Sequence, residues 1–294
     1  MNILITGGTG SFGQAFAKHA LINNLYSKII IFSRDEHKQE KMEKELKELD
    51  IHNRMRYLIG DIRDKYRLSL ALMEAHYVVH AAALKRVPNA EYEPLEYIKT
   101  NIIGTQNLIE CCLSTYGRGS HLKVLALSTD KAVAPINLYG ATKLCMEKMM
   151  LAANNIHGEN GPRFSIVRYG NVANSNGSVI QVFKKCREKN LSMPVTSKEM
   201  TRFWITLDEA VEFVNQKLTQ MAGKEIFIPD MPSFNILDLA YTMATNYLEA
   251  IKIIGVREGE KLHEQIDENK HSNLNDRWLG MDELKIKLRE MGVL

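Results

Sequence analysis

Between Ser128 and Lys143 the chain reads Ser-Thr-Asp-Lys-Ala-Val-Ala-Pro-Ile-Asn-Leu-Tyr-Gly-Ala-Thr-Lys. Thr129, Asp130 and Lys131 follow an apolar run that reads as a strand. Tyr139 and Lys143 follow at four-residue spacing, which places both side chains on one face of a helix. A tyrosine is a poor base at its ordinary pKa near 10. A nearby ammonium stabilises the phenolate, so Lys143 is expected to lower Tyr139 and let it take a hydroxyl proton as hydride leaves the same carbon. Asp130 and Lys131 add a second acid and a second base. A lone Tyr-x-x-x-Lys is common by chance as a surface pair. Here it lies downstream of a glycine loop suited to a dinucleotide, so the segment points to hydride transfer coupled to proton transfer, on a sugar.

The loop is Ile3-Leu4-Ile5-Thr6-Gly7-Gly8-Thr9-Gly10-Ser11-Phe12-Gly13, with the form strand, GxxGxxG, helix. Glycines permit a tight turn and close approach of backbone to a pyrophosphate, and the helix N-terminus supplies unpaired N–H groups and a positive dipole end. A glycine triplet alone is a weak signal; its place after a strand and before a helix is the context the motif requires. Thr6, Gly7, Thr9, Gly10, Ser11, Phe12 and Gly13 are therefore candidate cofactor contacts. Acidic residues at the end of the second strand mark NAD enzymes. Here that position is Ser33, followed by Arg34, with Lys38 one turn on. Both cations suit a 2′-phosphate, which favours NADP. Asp35 and Glu36 compete with that choice or start the next helix, where acids suit the dipole. Asp61 and Ile62 follow the third strand; Asp61 is placed either for the adenine edge or as N-cap of a helix over 63–73.

Around these motifs, strands at 2–5, 28–32, 55–59, 77–80, 123–127 and 164–167 alternate with helices at 11–24, 36–49, 63–73, 95–114 and 139–155. Such alternation with short connections predicts a Rossmann-type α/β fold, a doubly wound parallel sheet with right-handed crossovers. After Asn171 the rhythm breaks. Helices are expected at 177–189, 207–221 and 282–291, and small α/β pieces at 223–229, 235–248 and 251–254. The division is a dinucleotide-binding domain over 1–171, with 201–222 returning to it. A smaller C-terminal α/β substrate lobe covers 172–200 and 223–294.

The 294 residues are 45% hydrophobic and 25% charged, with net charge +3, ordinary values for a globular protein. That mild balance lacks the clustered basic face of a nucleic-acid binder. Cys111, Cys112, Cys145 and Cys186 form no CxxC pair and match no zinc spacing, so no metal is expected and reduced thiols are. No apolar run approaches the ~18 residues of a membrane span. The N-terminus enters a strand directly, without the look of a signal peptide. The expectation is a cytoplasmic protein.

Together these features resemble the extended short-chain dehydrogenase/reductase superfamily. A plain dehydrogenase or 4-epimerase of that kind needs only Thr or Ser, Tyr and Lys. The adjacent Asp130 and Lys131 suggest a further proton-transfer step, as in dehydration, where one group accepts a proton and another donates one. A basic Lys131 then requires a depressed pKa, from burial and neighbouring cations. The segments 3–13, 33–36, 80–85, 99–101, 128–143, 167–172, 200–206 and 255–264 are similar to those of the inverting UDP-N-acetylglucosamine 4,6-dehydratases, which open pseudaminic acid synthesis.

That resemblance implies bound NADP, with Tyr139 aiding oxidation at carbon 4. Lys131 removes the carbon 5 proton, Asp130 protonates the leaving carbon 6 hydroxyl, and hydride returns to carbon 6. Reprotonation of carbon 5 from the opposite face, by Tyr139 or Lys131, inverts it. Thr129 hydrogen-bonds the substrate hydroxyl and Lys143 the nicotinamide ribose. Ala81, Ala82 and Ala83 form the wall under the cofactor, with Tyr169 close by, and Asn101 braces the catalytic strand. Lys85, Asn171 and Val179 face the UDP-sugar, Arg202 and Arg257 clamp its diphosphate, and Glu260 holds the uridine ribose. The same resemblance implies a homo-oligomer. Rival readings are a retaining 4,6-dehydratase or 4-epimerase on another nucleotide-sugar, and a non-catalytic NADP-binding sensor. The chain departs from the expected pattern at Asn176, where an Arg is usual, and between Gln265 and the terminal helix, where it is shorter.

Overall fold

A computed structural model describes residues 1–116, 119, 121–175, 177–244 and 251–294. Asn176 and the end of the small α/β piece expected at 235–248 lie outside the described residues. The first half alternates β1 (Asn2–Thr6), α1 (Ser11–Ile22), β2 (Lys28–Ser33), α2 (Glu36–Leu46), β3 (Met55–Ile59), α3 (Lys65–Leu72) and β4 (Tyr77–His80). Short helices α4 (Val87–Tyr92) and α5 (Pro94–Tyr97) and a π-helical turn, Ile98–Ile103, lead into α6 (Gly104–Tyr116). Then come β5 (Lys123–Thr129), α7 (Leu138–His157), β6 (Arg163–Tyr169), β7 (Asn171–Val172), α8 (Val179–Glu188), β8 (Met193–Val195), β9 (Thr201–Ile205) and α9 (Leu207–Gln220). The last elements are β10 (Ile226–Phe227), β11 (Ser233–Asn235), α10 (Ile236–Met243), β12 (Ile251–Ile253), β13 (Gln265–Asp267), β14 (Lys270–His271) and α11 (Met281–Glu290).

Seven strands form one parallel sheet in the order β10-β6-β5-β4-β1-β2-β3. The chain reverses direction across the sheet between β1 and β4, and ligands of such sheets bind outside the strand ends at that switch. Strand residues alternate between two cores, as period-two geometry requires. Ile3, Ile5, Ile31, Val79 and Leu125 pack on α1, α2 and α9; Leu4, Ile30, Val78, Val124 and Ile166 pack on α3, α6 and α7. A third core, around Phe183, Trp204, Phe234, Leu239 and Leu284, joins α8, β9, α10 and α11.

The structure corrects the expected organisation in four places. β9 pairs with β7 and β11 in a separate three-stranded sheet, so only α9 of the 201–222 segment returns to the main sheet. β10, assigned by sequence to the substrate lobe, extends the main sheet beside β6. The helix expected at 63–73 is α3, whose N-cap is Asp64, accepting from the Arg67 N–H, and not Asp61. The helix expected at 95–114 is broken by the π turn, which carries Asn101.

Candidate active site

The proton-transfer residues collect where β5 ends. Thr129 is its last residue, and a 3₁₀ turn, Asp130–Ala132, follows at once. The Asn137 side chain caps α7 by accepting from the Gly140 N–H at 2.8 Å, which sets Tyr139 and Lys143 on the first turns. Gly140 is obligatory for this packing: a Cβ there would lie 2.2 Å from the Lys131 carbonyl oxygen. The turn between them bends through Ala134, a non-glycine residue at φ +40°.

Asp130 is fully buried. Its Oδ1 accepts from the Thr129 hydroxyl at 3.0 Å and from Lys131 Nζ at 3.0 Å. Lys131 Nζ also donates to Glu264 Oε1, at 3.0 Å. Glu264 is 1% exposed and lies just before β13; the Arg202 Nε is 3.8 Å from the same oxygen. One ammonium thus sits between two buried carboxylates with a guanidinium behind. Asp130 Oδ2 and Glu264 Oε2 have no hydrogen-bond partner among the described residues.

Burial pushes the Asp130 carboxyl above the usual carboxylate range, against the pull of Lys131. Burial alone would lower Lys131, but Asp130 and Glu264 override it and hold the ammonium above its ordinary value. Burial likewise raises Glu264, yet Lys131 and Arg202 carry it below normal. The expectation of a depressed Lys131 is therefore corrected: its neighbours are anions.

The expected coupling of Tyr139 and Lys143 is corrected too. Burial pushes Tyr139 up to about 12, opposed by Lys131 and by a hydrogen bond with Thr129. Lys143 Nζ donates to the Leu127 carbonyl at 2.6 Å and contacts Met146 Sδ at 3.0 Å. Burial lowers it to about 8, against the influence of Glu147.

At the glycine loop, Gly7 has φ +67°, and a Cβ there would meet Ala82 Cα at 2.7 Å and Ala81 O at 2.8 Å. Ala81 and Ala82 thus form a wall directly against the loop. Gly10, the N-cap of α1, offers no side-chain cap, and a helix N-terminus directs its N–H groups and positive dipole end at an anion. Gly13 packs against Gly8, with a Cβ placed 2.5 Å from it. This cradle fits a pyrophosphate. Thr6 points elsewhere: its hydroxyl meets His80 Nδ1 at 2.8 Å and ties β1 to β4. The Phe12 ring lies 5.9 Å from that of Phe16 and is tilted 31° to it, and Thr9 is buried.

At the end of β2, Ser33 is buried, and both its carbonyl and hydroxyl oxygens accept from Gln39 Nε2. Asp35 caps α2, accepting from the Lys38 N–H at 3.0 Å. Arg34 and Lys38 remain largely exposed, near Asp61 (3.7 Å) and Asp35 (3.1 Å) respectively. Asp61 accepts from Arg63 Nη2 at 2.7 Å; these bonds outweigh burial and hold it below the usual range.

Of the remaining expected residues, Asn101 braces the Leu84 loop and α7. Its Oδ1 accepts from Leu84 N–H, and its Nδ2 donates to the Leu84 carbonyl and to Thr142 Oγ1. Tyr169 is buried near Tyr139. Lys85 lies at the surface, its ammonium lowered by partial desolvation. Asn171 is exposed at the start of β7, and Val179 opens α8. Arg257 Nη1 and Glu260 Oε1 are 3.9 Å apart in an exposed turn. Arg202 is not turned outward as a clamp: Nη1 donates to the carbonyls of Thr201 and Leu262, and Nη2 to that of Lys261.

Sequence reasoning missed Glu264 and a buried network under β5. Arg168 donates to both Glu147 oxygens (3.0 and 2.6 Å) and to the Ile266 carbonyl at 2.9 Å, while Ser128 Oγ donates to Glu147 at 2.5 Å. No spacing connects Glu264 with Lys131. Among the described residues no group of three metal-binding side chains converges, and no helix is long and apolar enough to cross a membrane.

Residues 3–279 match the family described as polysaccharide biosynthesis protein. A UDP-N-acetylglucosamine 4,6-dehydratase (inverting) of Campylobacter jejuni subsp. jejuni serotype O:23/36 is 52% identical over 274 residues, 93% of this chain and 79% of the relative. The chain belongs to the inverting UDP-N-acetylglucosamine 4,6-dehydratase family. More distant from this dehydratase family chain, a UDP-glucose 4-epimerase of Rickettsia typhi is 38% identical over 90% of this chain and 76% of that one. The X-ray structure of Pen from Bacillus thuringiensis superimposes with TM-score 0.90 at 32% identity, covering 100% of this chain and 98% of that chain. DesIV, a dTDP-glucose 4,6-dehydratase from Streptomyces venezuelae solved with NAD and TYD, shares the fold at TM-score 0.80 and 20% identity, covering 98% and 96%.

Proposed function

We propose that this enzyme performs the inverting 4,6-dehydration of UDP-N-acetylglucosamine, giving UDP-2-acetamido-2,6-dideoxy-L-arabino-hexos-4-ulose, the opening step of pseudaminic acid synthesis. The observation that carries the reading is the buried Asp130–Lys131 pair beside Thr129 and Tyr139. A simple epimerase has no use for that extra acid and base, although relatives named as epimerases lie within reach in sequence.

A nicotinamide dinucleotide is the cofactor, held by the Gly7–Gly13 cradle and the N-terminus of α1; when bound it supplies the hydride acceptor and donor. NADP is the preferred form. Asp35 is spent on capping α2 and Ser33 on Gln39, which leaves Arg34 and Lys38 as the charged groups at the ribose end. Ala81–Ala83 and Lys143 line the nicotinamide side.

Thr129 and Tyr139 share a hydrogen bond and would take the carbon 4 hydroxyl between them. Tyr139 must lose its proton before it accepts another, and Lys131 is the cation that favours its phenolate. Oxidation of carbon 4 to a ketone acidifies the carbon 5 proton. Lys131, once it has given up its ammonium proton to solvent, removes it. The raised pKa of Asp130 suits that residue to protonate the departing carbon 6 hydroxyl, which leaves as water. Hydride then returns to carbon 6, and a proton from Tyr139 or Lys131 to the opposite face of carbon 5 gives the inverted product. Lys85, Asn171 and Val179 would face the sugar, and Arg257 and Glu260 the nucleotide. Arg202 acts instead as a brace for 261–264.

The test is mass spectrometry of UDP-N-acetylglucosamine incubated with the purified protein, with the bound nucleotide identified after denaturation. The expected result is loss of one water from the sugar nucleotide and release of NADP. Recovery of an isomer of unchanged mass would replace this reading with epimerisation.

A further inference from the structure

Lys131 lies in the turn after β5, and Glu264 comes far downstream, in the segment before β13. Several contacts fasten that segment over the catalytic turn. Lys261 Nζ donates to the Val133 carbonyl at 2.6 Å, and Asn137 Nδ2 donates to the Gly259 carbonyl at 2.8 Å. Arg168 reaches the Ile266 carbonyl from β6. Arg202 spans the carbonyls of 261 and 262 from β9. Ser272 Oγ accepts from the Glu264 N–H at 2.9 Å, and fixes its backbone. The outcome is that Glu264 Oε1 reaches Lys131 Nζ at 3.0 Å, the same distance as Asp130 Oδ1 on the other side.

We propose that Glu264 is a positioning residue for the elimination step: with Asp130 it holds the Lys131 amine in place from the opposite side, and its charge sets the protonation of both reacting groups. The inference rests on the proposed roles of Asp130 and Lys131. Burying a carboxylate is costly unless it is paired, and among the described residues the ion-pair partners of Glu264 are Lys131 and Arg202. Its second oxygen, Oε2, is buried without a partner, so the residue contributes its charge and one directed bond, and no wider hydrogen-bond scaffold.

The charged and titratable groups around Lys131 are Asp130 on its own turn, Tyr139 on α7, Arg202 on β9, and Lys261 and Glu264 on the covering segment. Removing the Glu264 charge leaves Asp130 alone to balance two buried cations. Every neighbouring group then gives up its proton more easily. Lys131 becomes a free amine at lower pH, and Asp130 remains protonated only to a lower pH. Both limbs of the pH–kcat profile therefore move toward acid together.

The experiment is the pH profile of kcat and KM for UDP-N-acetylglucosamine with Glu264→Gln, Glu264→Asp and Lys131→Ala, each first checked by thermal melting. Glu264→Gln is expected to lower kcat about 10- to 100-fold, leave KM within about threefold, and shift both limbs by about one pH unit. Glu264→Asp restores the charge and returns the limbs to their wild-type positions, with kcat still reduced by its shorter arm. A Glu264→Gln enzyme that loses rate without moving either limb overturns the proposal. If Glu264→Gln does not fold, Glu264→Asp decides: wild-type kcat overturns the proposal, and reduced kcat on unshifted limbs supports it. Turnover by Lys131→Ala would instead overturn the underlying assignment of the base.

Discussion

The network beneath β5 makes a sharp energetic demand. Glu147 on α7 and Arg168 on β6 form a two-bond ion pair with side chains 1% and 10% exposed. The Ser128 hydroxyl donates to Glu147, and Arg168 donates onward to the Ile266 carbonyl. Glu147→Gln keeps the shape and removes the charge. It leaves a buried guanidinium uncompensated and turns an N–H₂ group toward its donors. Breaking a buried pair in this way costs about 3–5 kcal/mol. With a urea m-value of about 3 kcal/mol/M, the unfolding midpoint should fall by about 1–1.7 M. The double variant Glu147→Leu/Arg168→Met removes both charges. It should lose less than Glu147→Gln, because no charge is left unpaired and only the Ser128 hydroxyl and the Ile266 carbonyl lose these partners. Urea unfolding of the two variants and the wild type, followed by tryptophan fluorescence, measures both quantities. A Glu147→Gln midpoint within about 0.3 M of wild type, or about 1 kcal/mol, would refute the view that this pair holds the catalytic strand, α7 and the 261–267 segment together.

Three further outcomes follow from the same geometry. Gly140→Ala drives a Cβ into the Lys131 carbonyl, so α7 must move off the catalytic turn. It should cost about 1–3 kcal/mol of stability and about 100-fold in kcat, and a fully active variant would contradict that packing. His80 is buried and held neutral down to about 3, whereas an unfolded histidine titrates near 6.5. Between those values the unfolded chain alone takes up the proton, so stability falls as pH falls. From pH 7 to 5 the loss is about 2 kcal/mol, read as a melting-temperature drop of about 4 °C that His80→Asn should largely abolish. Tyr139, raised to about 12, should show no phenolate absorbance below about pH 10 in nucleotide-free protein when wild type is compared with Tyr139→Phe.

Much of the fold was legible because neighbouring strand residues such as Ile3 and Leu4, or Val78 and Val79, are buried on opposite faces of the sheet and read as short apolar runs between glycine and helix signals. The glycine loop was legible for a different reason: only glycine tolerates the approach of Ala81 and Ala82 at position 7. Local patterns failed where pairing is decided at long range. β10 is two residues long and owes its place to β6, and β9 leaves the main sheet for β7 and β11. The same limit applied to the site. Thr129, Asp130, Lys131, Tyr139 and Lys143 were recognisable because one strand–turn–helix carries them all. Glu264 was not, since the fold alone brings it to Lys131. Its charge is also what reverses the expected behaviour of that lysine: burial was foreseen, but the second carboxylate was not. Arg202 illustrates the converse. An arginine among aromatics looks like a ligand clamp in sequence, yet three backbone carbonyls claim it in the structure.

The central claim is that the Asp130–Lys131 pair drives an elimination with inversion at carbon 5. Proton NMR of the purified enzyme with UDP-N-acetylglucosamine in deuterated water tests it most directly. The account requires a new carbon 6 methyl signal, deuterium at carbon 5, and coupling constants of the L-arabino ring, all lost in Lys131→Ala. A methyl product that keeps the original carbon 5 configuration would contradict it.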